Sequence, residues 1–211
     1  MGISFAIMDV FFFRERKFTN YFKKLLNSCI MEKLIVVVDV QRDFFDPSGS
    51  LYVKGSEVLP EKIARLAGDY DACIFTLDWH PANHCSFASM GGIWPSHCVA
   101  YTQGAGLADE FAPLLALPHT HLFFKGTQPD KEQYGAFEKL EDGPVYELLT
   151  EAEEIDVCGI AGDYCVKESC ANVLKIARNA KVSLLADCIC SIDGGEALEA
   201  FAAAQGVAVK R

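Results

Sequence analysis

Four side chains that could do chemistry stand at the ends of four apolar, strand-like runs. Asp39 follows "KLIVVV", Asp78 follows "ACIFTL", Lys125 ends "HTHLFFK", and Cys165 comes shortly after "IDVCGI" in "AGDYCV". If these runs are parallel strands of one sheet, their carboxyl ends share the edge at which such sheets bind ligands. A thiol, an ammonium group and a carboxylate at one edge indicate nucleophilic catalysis by cysteine. The chemistry that fits is acyl transfer through a thioester, and hence hydrolysis of an amide.

Cys165 is the candidate nucleophile, although the chain has nine cysteines. We predict that it lies in the first turn of a helix, where the helix dipole and Lys125 would lower the pKa of its thiol. Asp39 can then relay protons between the thiol, a leaving group and water. The turn "GIAG" leaves backbone N–H groups that can bind the oxyanion of a tetrahedral intermediate. The alternative interpretation is that Cys165 is one more small core residue.

A second pattern, Asp78-x-His80, indicates a metal site. Alternate residues leaving a strand point the same way, so both side chains can face one ion. His97 lies on the long loop that follows, together with His84. One carboxylate and two imidazoles with an open position suit Zn²⁺, with Fe²⁺ or Mn²⁺ as alternatives. The alternative is that these loop histidines only form hydrogen bonds.

The elements that must position these residues follow an alternating pattern. From Met31 onward, short apolar runs alternate with segments of helical spacing, which predicts a three-layer α/β fold. We expect a mainly parallel sheet of about six strands with helices on both faces. The stretch 79–106 has little periodicity, and long loops in compact domains are usually functional. We predict one catalytic domain, residues 31–211.

Residues 1–30 differ in composition and are predicted to be a non-catalytic N-terminal extension. They contain charged residues within the apolar stretch and match neither a signal peptide nor a membrane span. An amphipathic element that covers an apolar patch or touches a membrane surface is the alternative. No membrane partner is expected for the domain itself.

Charge and cysteine usage narrow the class of protein. The formal net charge is −10, which argues against a nucleic-acid partner because phosphate binding needs clustered basic residues. The nine cysteines are odd in number and several lie in apolar runs, which indicates reduced thiols and a cytoplasmic, reducing compartment. A soluble enzyme that acts on a small molecule fits both observations, and a homo-oligomer remains open.

Five segments resemble, in order, the signature segments of the nicotinamidases, also called pyrazinamidases, which are isochorismatase-like cysteine hydrolases. The resemblance runs from about Leu34 to the C-terminus. It rests on the segments "VVVDVQRDFFDPSGSLYV", "TLDWHPANHCSF", "WPSHC", "FKGTQPDKEQYGAFE" and "VCGIAGDYCV".

The resemblance implies a role for each matching position. It makes Asp39 the general base, Lys125 the catalytic lysine and Cys165 the nucleophile. The residues that it implies as metal ligands are Asp78, His80 and His97, with His84 as a weaker candidate. The aromatic walls of the pyridine pocket would be Phe44, Trp94 and Tyr134. The backbone N–H groups of Ala161 and Cys165 would form the oxyanion hole, next to a cis peptide bond between Ile160 and Ala161.

The implied reaction converts nicotinamide and water into nicotinate and ammonia, as a step of NAD salvage. The implied partners are a small-molecule amide and one divalent metal ion, most simply Zn²⁺. One departure is Gly162, where the family usually has threonine, and this loss is expected to soften the loop. Two other functions remain open, namely an amidohydrolase for another small amide, and a non-enzymatic metal-storing or redox-sensing protein.

Overall fold

The structure, a computed structural model, describes residues 31–211, and the predicted extension 1–30 lies outside the described residues. Six strands alternate with helices along this part of the chain. The strands are β1 Lys33–Val38, β2 Ala72–Asp78, β3 Thr120–Lys125, β4 Glu154–Ile160, β5 Lys181–Cys190 and β6 Ala208–Lys210. The α-helices are α1 Arg42–Phe45, α2 Leu59–Ala67, α3 Ala112–Leu115, α4 Pro144–Glu151, α5 Lys167–Ile176 and α6 Glu196–Gln205.

The six strands form one sheet in the order β3-β2-β1-β4-β5-β6, and all adjacent pairs are parallel. The chain first builds outward from β1 to β3, and then starts again at β4 on the other side of β1. The strand order therefore reverses between β1 and β4, and such a reversal opens a crevice at the carboxyl ends of the two strands. Asp39 leaves β1 and Cys165 follows β4, so both lie at this crevice.

Helices cover both faces of the sheet, as the sequence predicts. On one face, Leu149 of α4 and Val173 of α5 pack in one apolar core that also includes α6. On the other face, Ile63 of α2 packs in a second core with residues of α3. Strand β1 is buried from Leu34 to Val38 because it faces both cores, which explains its unbroken apolar run.

Three local features differ from the sequence-based expectation. The helix after β4 does not begin directly, because Gly162–Val166 form a single π-helical turn before α5. Strand β5 continues three residues beyond the predicted "KVSLLAD", across a register shift opposite Val157 and Gly159 of β4. The four-residue helices α1 and α3 are too short to show helical periodicity in the sequence.

The loop 79–106 contains no strand, and its one regular element is the 3₁₀ turn Ala88–Met90. Within residues 31–211, no helix is both long enough and apolar enough to cross a membrane.

Candidate active site

The four strand ends meet around the ammonium group of Lys125. Its Nζ lies 2.8 Å from Asp39 Oδ2, 2.5 Å from Asp78 Oδ1 and 3.5 Å from Cys165 Sγ. The register places Asp78 opposite Lys125 in neighbouring strands, so this contact follows from the pairing of β2 with β3. All four residues are buried. The structure thus brings together the thiol, the ammonium group and the carboxylates that the sequence placed at one edge.

The two carboxylates keep Lys125 charged in spite of its burial. Burial alone would lower the pKa of the ammonium group, but Asp39 and Asp78 raise it well above its usual value. Burial also raises the pKa of Asp39, although Lys125 acts in the opposite direction. For Asp78, the attraction of Lys125 and the hydrogen bond with His80 outweigh burial, and the pKa of this carboxyl lies below its usual value.

The expectation that the pKa of the Cys165 thiol is lowered is wrong. The side chain is buried, and burial raises the pKa of the thiol well above its usual value, with only partial compensation from Lys125. The sequence could not show how completely this side chain is buried. A base near the thiol that takes its proton would prepare Cys165 for attack.

Asp39 is placed to be that base. One oxygen atom each of Asp39 and Asp78 lies within 4.8 Å of Cys165 Sγ. Asp39 Oδ1 accepts a hydrogen bond of 2.6 Å from the Thr76 hydroxyl, whereas Oδ2 contacts only the Lys125 ammonium and has no other hydrogen-bond partner among the described residues. The φ of Asp39 is +50°, a left-handed conformation that is uncommon outside glycine and is often found at functional sites.

Asp78, His80 and His97 form a group that fits a divalent metal ion. All three are buried, and one ligand atom from each lies within 4.8 Å of the others. His80 Nδ1 is 2.9 Å from the carbonyl oxygen of Gly126, and His97 Nδ1 is 2.7 Å from that of Pro95. A carbonyl oxygen only accepts, so each Nδ1 carries a proton and Nε2 is the nitrogen left for a metal. Nε2 of His80 also lies 3.5 Å from Asp78 Oδ2. Burial would lower the pKa of this imidazole, but Asp78 outweighs burial and the pKa is raised, so a metal ion would compete with a proton at this nitrogen.

His84, the weaker ligand candidate, lies outside this group. Its Nδ1 is 2.7 Å from the Ser86 hydroxyl and its Nε2 is 3.1 Å from the carbonyl oxygen of Lys131. Both ring nitrogens are therefore engaged with other partners, and neither is left for a metal ion. The ring of His84 instead stacks on that of His80, with 4.1 Å between the ring centroids, and so packs against a candidate metal ligand.

Gln41 is a residue of the site that the sequence reasoning missed. Its side-chain Oε1 accepts a hydrogen bond from Asp78 N–H, and its Nε2 donates to the carbonyl oxygens of Asp78 and Ala105, all at 2.8–2.9 Å. The residue is fully buried, two of the three bonds hold the backbone of Asp78, and the third joins it to the end of the loop 79–106. The available signal was a glutamine two residues beyond Asp39, just after the apolar run of β1.

The three predicted aromatic residues line one pocket together with the thiol. Trp94 Nε1 donates a hydrogen bond of 3.1 Å to the Tyr134 hydroxyl. Tyr164, which was not predicted, packs against both rings at centroid distances of 5.2 and 5.3 Å. The pocket encloses about 360 Å³, open solvent included. Its lining comprises Phe44, Leu51, Val53, Asp78, Trp94, His97, Tyr134, Ala161, Tyr164, Cys165 and Ile192.

The turn that carries Cys165 is tightly packed. The peptide bond between Ile160 and Ala161 is cis, as the resemblance implies. At Gly162, an added Cβ would lie only 2.1 Å from Ser191 Oγ and 2.9 Å from a methyl group of Ile189. The side chain of Ser191 therefore occupies the space that a threonine side chain would need at this position, and the expectation of a softer loop stays a prediction.

This fold and this site define a three-layer α/β protein with a buried cysteine beside a group of side chains that could hold a metal ion. The family model of the isochorismatase domain matches residues 33–209, and the chain belongs to this family. The resemblance to nicotinamidases drawn from the sequence segments is confirmed. Nicotinamidase from Saccharomyces cerevisiae is 30% identical over 185 residues, which span 72% of this chain and 86% of the yeast protein. Nicotinamidase from Escherichia coli is 32% identical, over 74% of this chain and 81% of the bacterial protein.

Solved structures give the same result. Pyrazinamidase of Pyrococcus horikoshii in complex with zinc is 34% identical and superimposes with a TM-score of 0.71, over 85% of this chain and 99% of that one. PnC1 from L. infantum in complex with nicotinate is 32% identical with a TM-score of 0.75, over 86% of this chain and 93% of that one.

Proposed function

We propose that this protein is a nicotinamidase, which hydrolyses nicotinamide to nicotinate and ammonia. The observation that carries the proposal is the contact of one buried ammonium group, that of Lys125, with Asp39, Asp78 and the Cys165 thiol. This cluster borders an aromatic pocket, and the relatives that share the fold at 30% identity or more are nicotinamidases and pyrazinamidases.

The thioester mechanism follows from where the protons can go. Asp39 Oδ2 accepts the thiol proton of Cys165, and Sγ forms a bond to the carboxamide carbon. The resulting oxyanion accepts hydrogen bonds from the N–H groups of Ala161 and Cys165. Asp39 returns the proton to the amide nitrogen, the C–N bond breaks, and ammonia leaves a thioester on Cys165. Water, activated by Asp39, then attacks the thioester carbon, nicotinate leaves, and the thiol is restored.

Lys125 balances charge throughout this cycle. Its ammonium group contacts both carboxylates and the thiol, so it compensates the negative charge as that charge passes between Asp39 and Cys165. Because the pKa of Lys125 is raised, the group keeps its proton and acts as a fixed cation.

We propose that Asp78, His80 and His97 hold one divalent ion, Zn²⁺ first, with Fe²⁺ and Mn²⁺ as alternatives. The donor set fits, because both imidazoles are held through Nδ1, which leaves Nε2 for the metal, and the pKa of the Asp78 carboxyl lies below its usual value. When bound, the ion supplies a Lewis-acidic position for the pyridine nitrogen and so orients the ring. The aromatic residues of the pocket pack against the faces of that ring.

Gly126→Ala is expected to weaken zinc binding at least about 10-fold, the range for loss of a partner that orients a ligand. Gly126 has a φ of +62°, and an added Cβ would lie 2.4 Å from His80 Cε1, so the imidazole must move. Gly143→Ala is the matched control, since its φ is +88° and nothing lies within 4 Å of an added Cβ. Competition with a chromophoric chelator measures the dissociation constants. Equal zinc affinity of the two variants would contradict the proposed role of His80.

The alternatives predict different behaviour. A metal-storing or redox-sensing protein predicts no turnover and no special role for the buried ammonium group of Lys125. An amidohydrolase for another small amide would have the same cysteine chemistry and a different order of preference among amides.

Ammonia release from nicotinamide by the zinc-loaded protein tests the proposal. We expect turnover by the wild type and none above the uncatalysed rate for Cys165→Ala. Cys73→Ala is the control, because Cys73 is also a buried free cysteine but lies near the opposite end of β2 from Asp78. Equal loss in both variants, or no turnover by the wild type, would contradict the proposal. Pyrazinamide and other small amides, assayed in parallel, separate the nicotinamidase from its nearest alternative.

The remaining expectations are proposed with the function. We propose that residues 31–211 form the catalytic domain and that 1–30 are a non-catalytic extension, because every site residue lies between Asp39 and Ile192. A role in NAD salvage and a reducing, cytoplasmic compartment are supported by the proposed reaction and by the free cysteines of the described chain.

A further inference from the structure

The segment between β5 and α6 forms one wall of the pocket. Ile192 lines the same pocket as the thiol and is about half exposed. Its backbone N–H donates a hydrogen bond of 3.0 Å to Asp163 Oδ1, and the N–H of Asp193 donates one of 3.0 Å to Asp163 Oδ2. Asp163 therefore ties this wall to the turn that carries Cys165, two residues further along the chain.

Asp163 is used in a way that only a carboxylate allows. The side chain is buried, and no lysine or arginine of residues 31–211 forms an ion pair with it. Both oxygens are occupied by N–H groups of the same short segment. An asparagine has only one acceptor oxygen. Its amide nitrogen is a donor and would face the second backbone N–H, which is also a donor, so that hydrogen bond would be lost.

A second contact links the same two segments. Gly162 packs so closely on Ser191 that an added Cβ would lie 2.1 Å from its hydroxyl oxygen. Ser191, Ile192 and Asp193 are thus all held against the turn that carries Cys165. Ser191 is held by packing, and Ile192 and Asp193 are held by hydrogen bonds. The position of Ile192 relative to Cys165 is set by Gly162 and Asp163.

We propose that Asp163 is a positioning residue that acts through Ile192, and that Ile192 determines which ring substituents the pocket accepts. The inference rests on the proposed function and adds to it a substrate class, pyridine carboxamides without a bulky substituent on the ring edge that faces Ile192. Asp163 touches neither the substrate nor the reacting atoms.

The test compares Asp163→Asn, Ile192→Ala and the double variant with nicotinamide and a set of ring-methylated nicotinamides. Each single variant is expected to raise KM for nicotinamide about 10-fold, the lower range for lost apolar contact in a pocket, with kcat nearly unchanged. The double variant should be no worse than Ile192→Ala alone, because both changes remove the same wall. Both single variants should also improve kcat/KM for at least one methylated amide relative to nicotinamide.

Asp193→Asn is the matched control. The Asp193 carboxylate accepts the N–H groups of Gly195 and Ala197 at the start of α6 and does not line the pocket. We expect a lower melting temperature for this variant and an unchanged KM. A KM rise equal to that of Asp163→Asn would overturn the proposal, as would additive effects in the double variant or a fall in kcat alone.

The dissociation constant of nicotinate, measured for the same variants, gives the comparison without turnover. If the wild type binds nicotinate but releases no ammonia from nicotinamide, the proposed function fails. The role of Asp163 and Ile192 in the pocket is then still tested by the dissociation constants of nicotinate. If nicotinate binding by Asp163→Asn and Ile192→Ala equals that of the wild type, the inference fails by itself. If the wild type neither binds nicotinate nor releases ammonia from nicotinamide, both fail.

Discussion

Asp39→Asn is expected to lower kcat for nicotinamide by about 10²–10⁴-fold, the range for loss of a general acid–base group. The amide keeps the size of the carboxylate but cannot take the proton of Cys165. Asp78, the other carboxylate near the thiol, is the weaker base because Lys125 holds its pKa below the usual value, and it belongs to the proposed metal site. Steady-state ammonia release measures the change.

Thr76→Val is the control for this prediction. It removes the hydrogen bond of 2.6 Å to Asp39 Oδ1, preserves the shape of the side chain and leaves Oδ2 in place. The loss of one such bond corresponds to about 10-fold or less in rate. If Asp39→Asn retains activity within the range of Thr76→Val, Asp39 is not the base.

Lys125→Met is expected to destabilise the metal-free protein by about 3–5 kcal/mol, the usual cost of removing one partner from a buried ion pair. The Lys125 side chain is fully buried, and without its charge the two buried carboxyl groups of Asp39 and Asp78 would lose the cation that they share. Urea unfolding at neutral pH, after metal removal, measures the free energy of unfolding. Metal is removed because a cation bound at Asp78 would partly compensate the lost charge.

Two further variants make the Lys125 prediction specific. Lys131→Met breaks the Lys131–Glu138 pair, in which about a third of each side chain is exposed, and is expected to change stability by about 0–1 kcal/mol. Adding Asp39→Asn to Lys125→Met removes one of the two facing charges and should restore part of the stability. Equal unfolding midpoints for the Lys125 and Lys131 variants would contradict the charge cluster.

The fold could be predicted because its signals are local. The apolar run of β1 indicates a strand buried on both faces, and the alternation of strands with helices indicates a parallel sheet. Parallel strands carry their carboxyl ends to one edge, so the convergence of Asp39, Asp78, Lys125 and Cys165 follows from the strand assignments. The four-residue helices and the register shift in β5 depend on tertiary contacts that no local pattern encodes.

The finer properties of the site required side-chain geometry. His84 and His97 look alike in the sequence, and what separates them is that Ser86 and Lys131 engage both nitrogens of His84. The pKa of Cys165 depends on how far burial outweighs Lys125, which composition does not reveal. The side-chain amide of Gln41 donates a hydrogen bond to the backbone of Asp78. The backbone N–H of Ile192 donates one to the side chain of Asp163. Each of these bonds joins segments that are distant in the chain.

The central claim is that the Cys165 sulfur forms a bond to the carbon that carries the amide. Nicotinaldehyde labelled with ¹³C at the aldehyde carbon tests it, because a thiolate adds to an aldehyde to give a tetrahedral thiohemiacetal. With the zinc-loaded wild type, NMR is predicted to show the labelled carbon moving from the carbonyl to the tetrahedral region, and with Cys165→Ala it should not. A tetrahedral signal that persists in Cys165→Ala, or its absence from a wild type that binds the aldehyde, would contradict the claim.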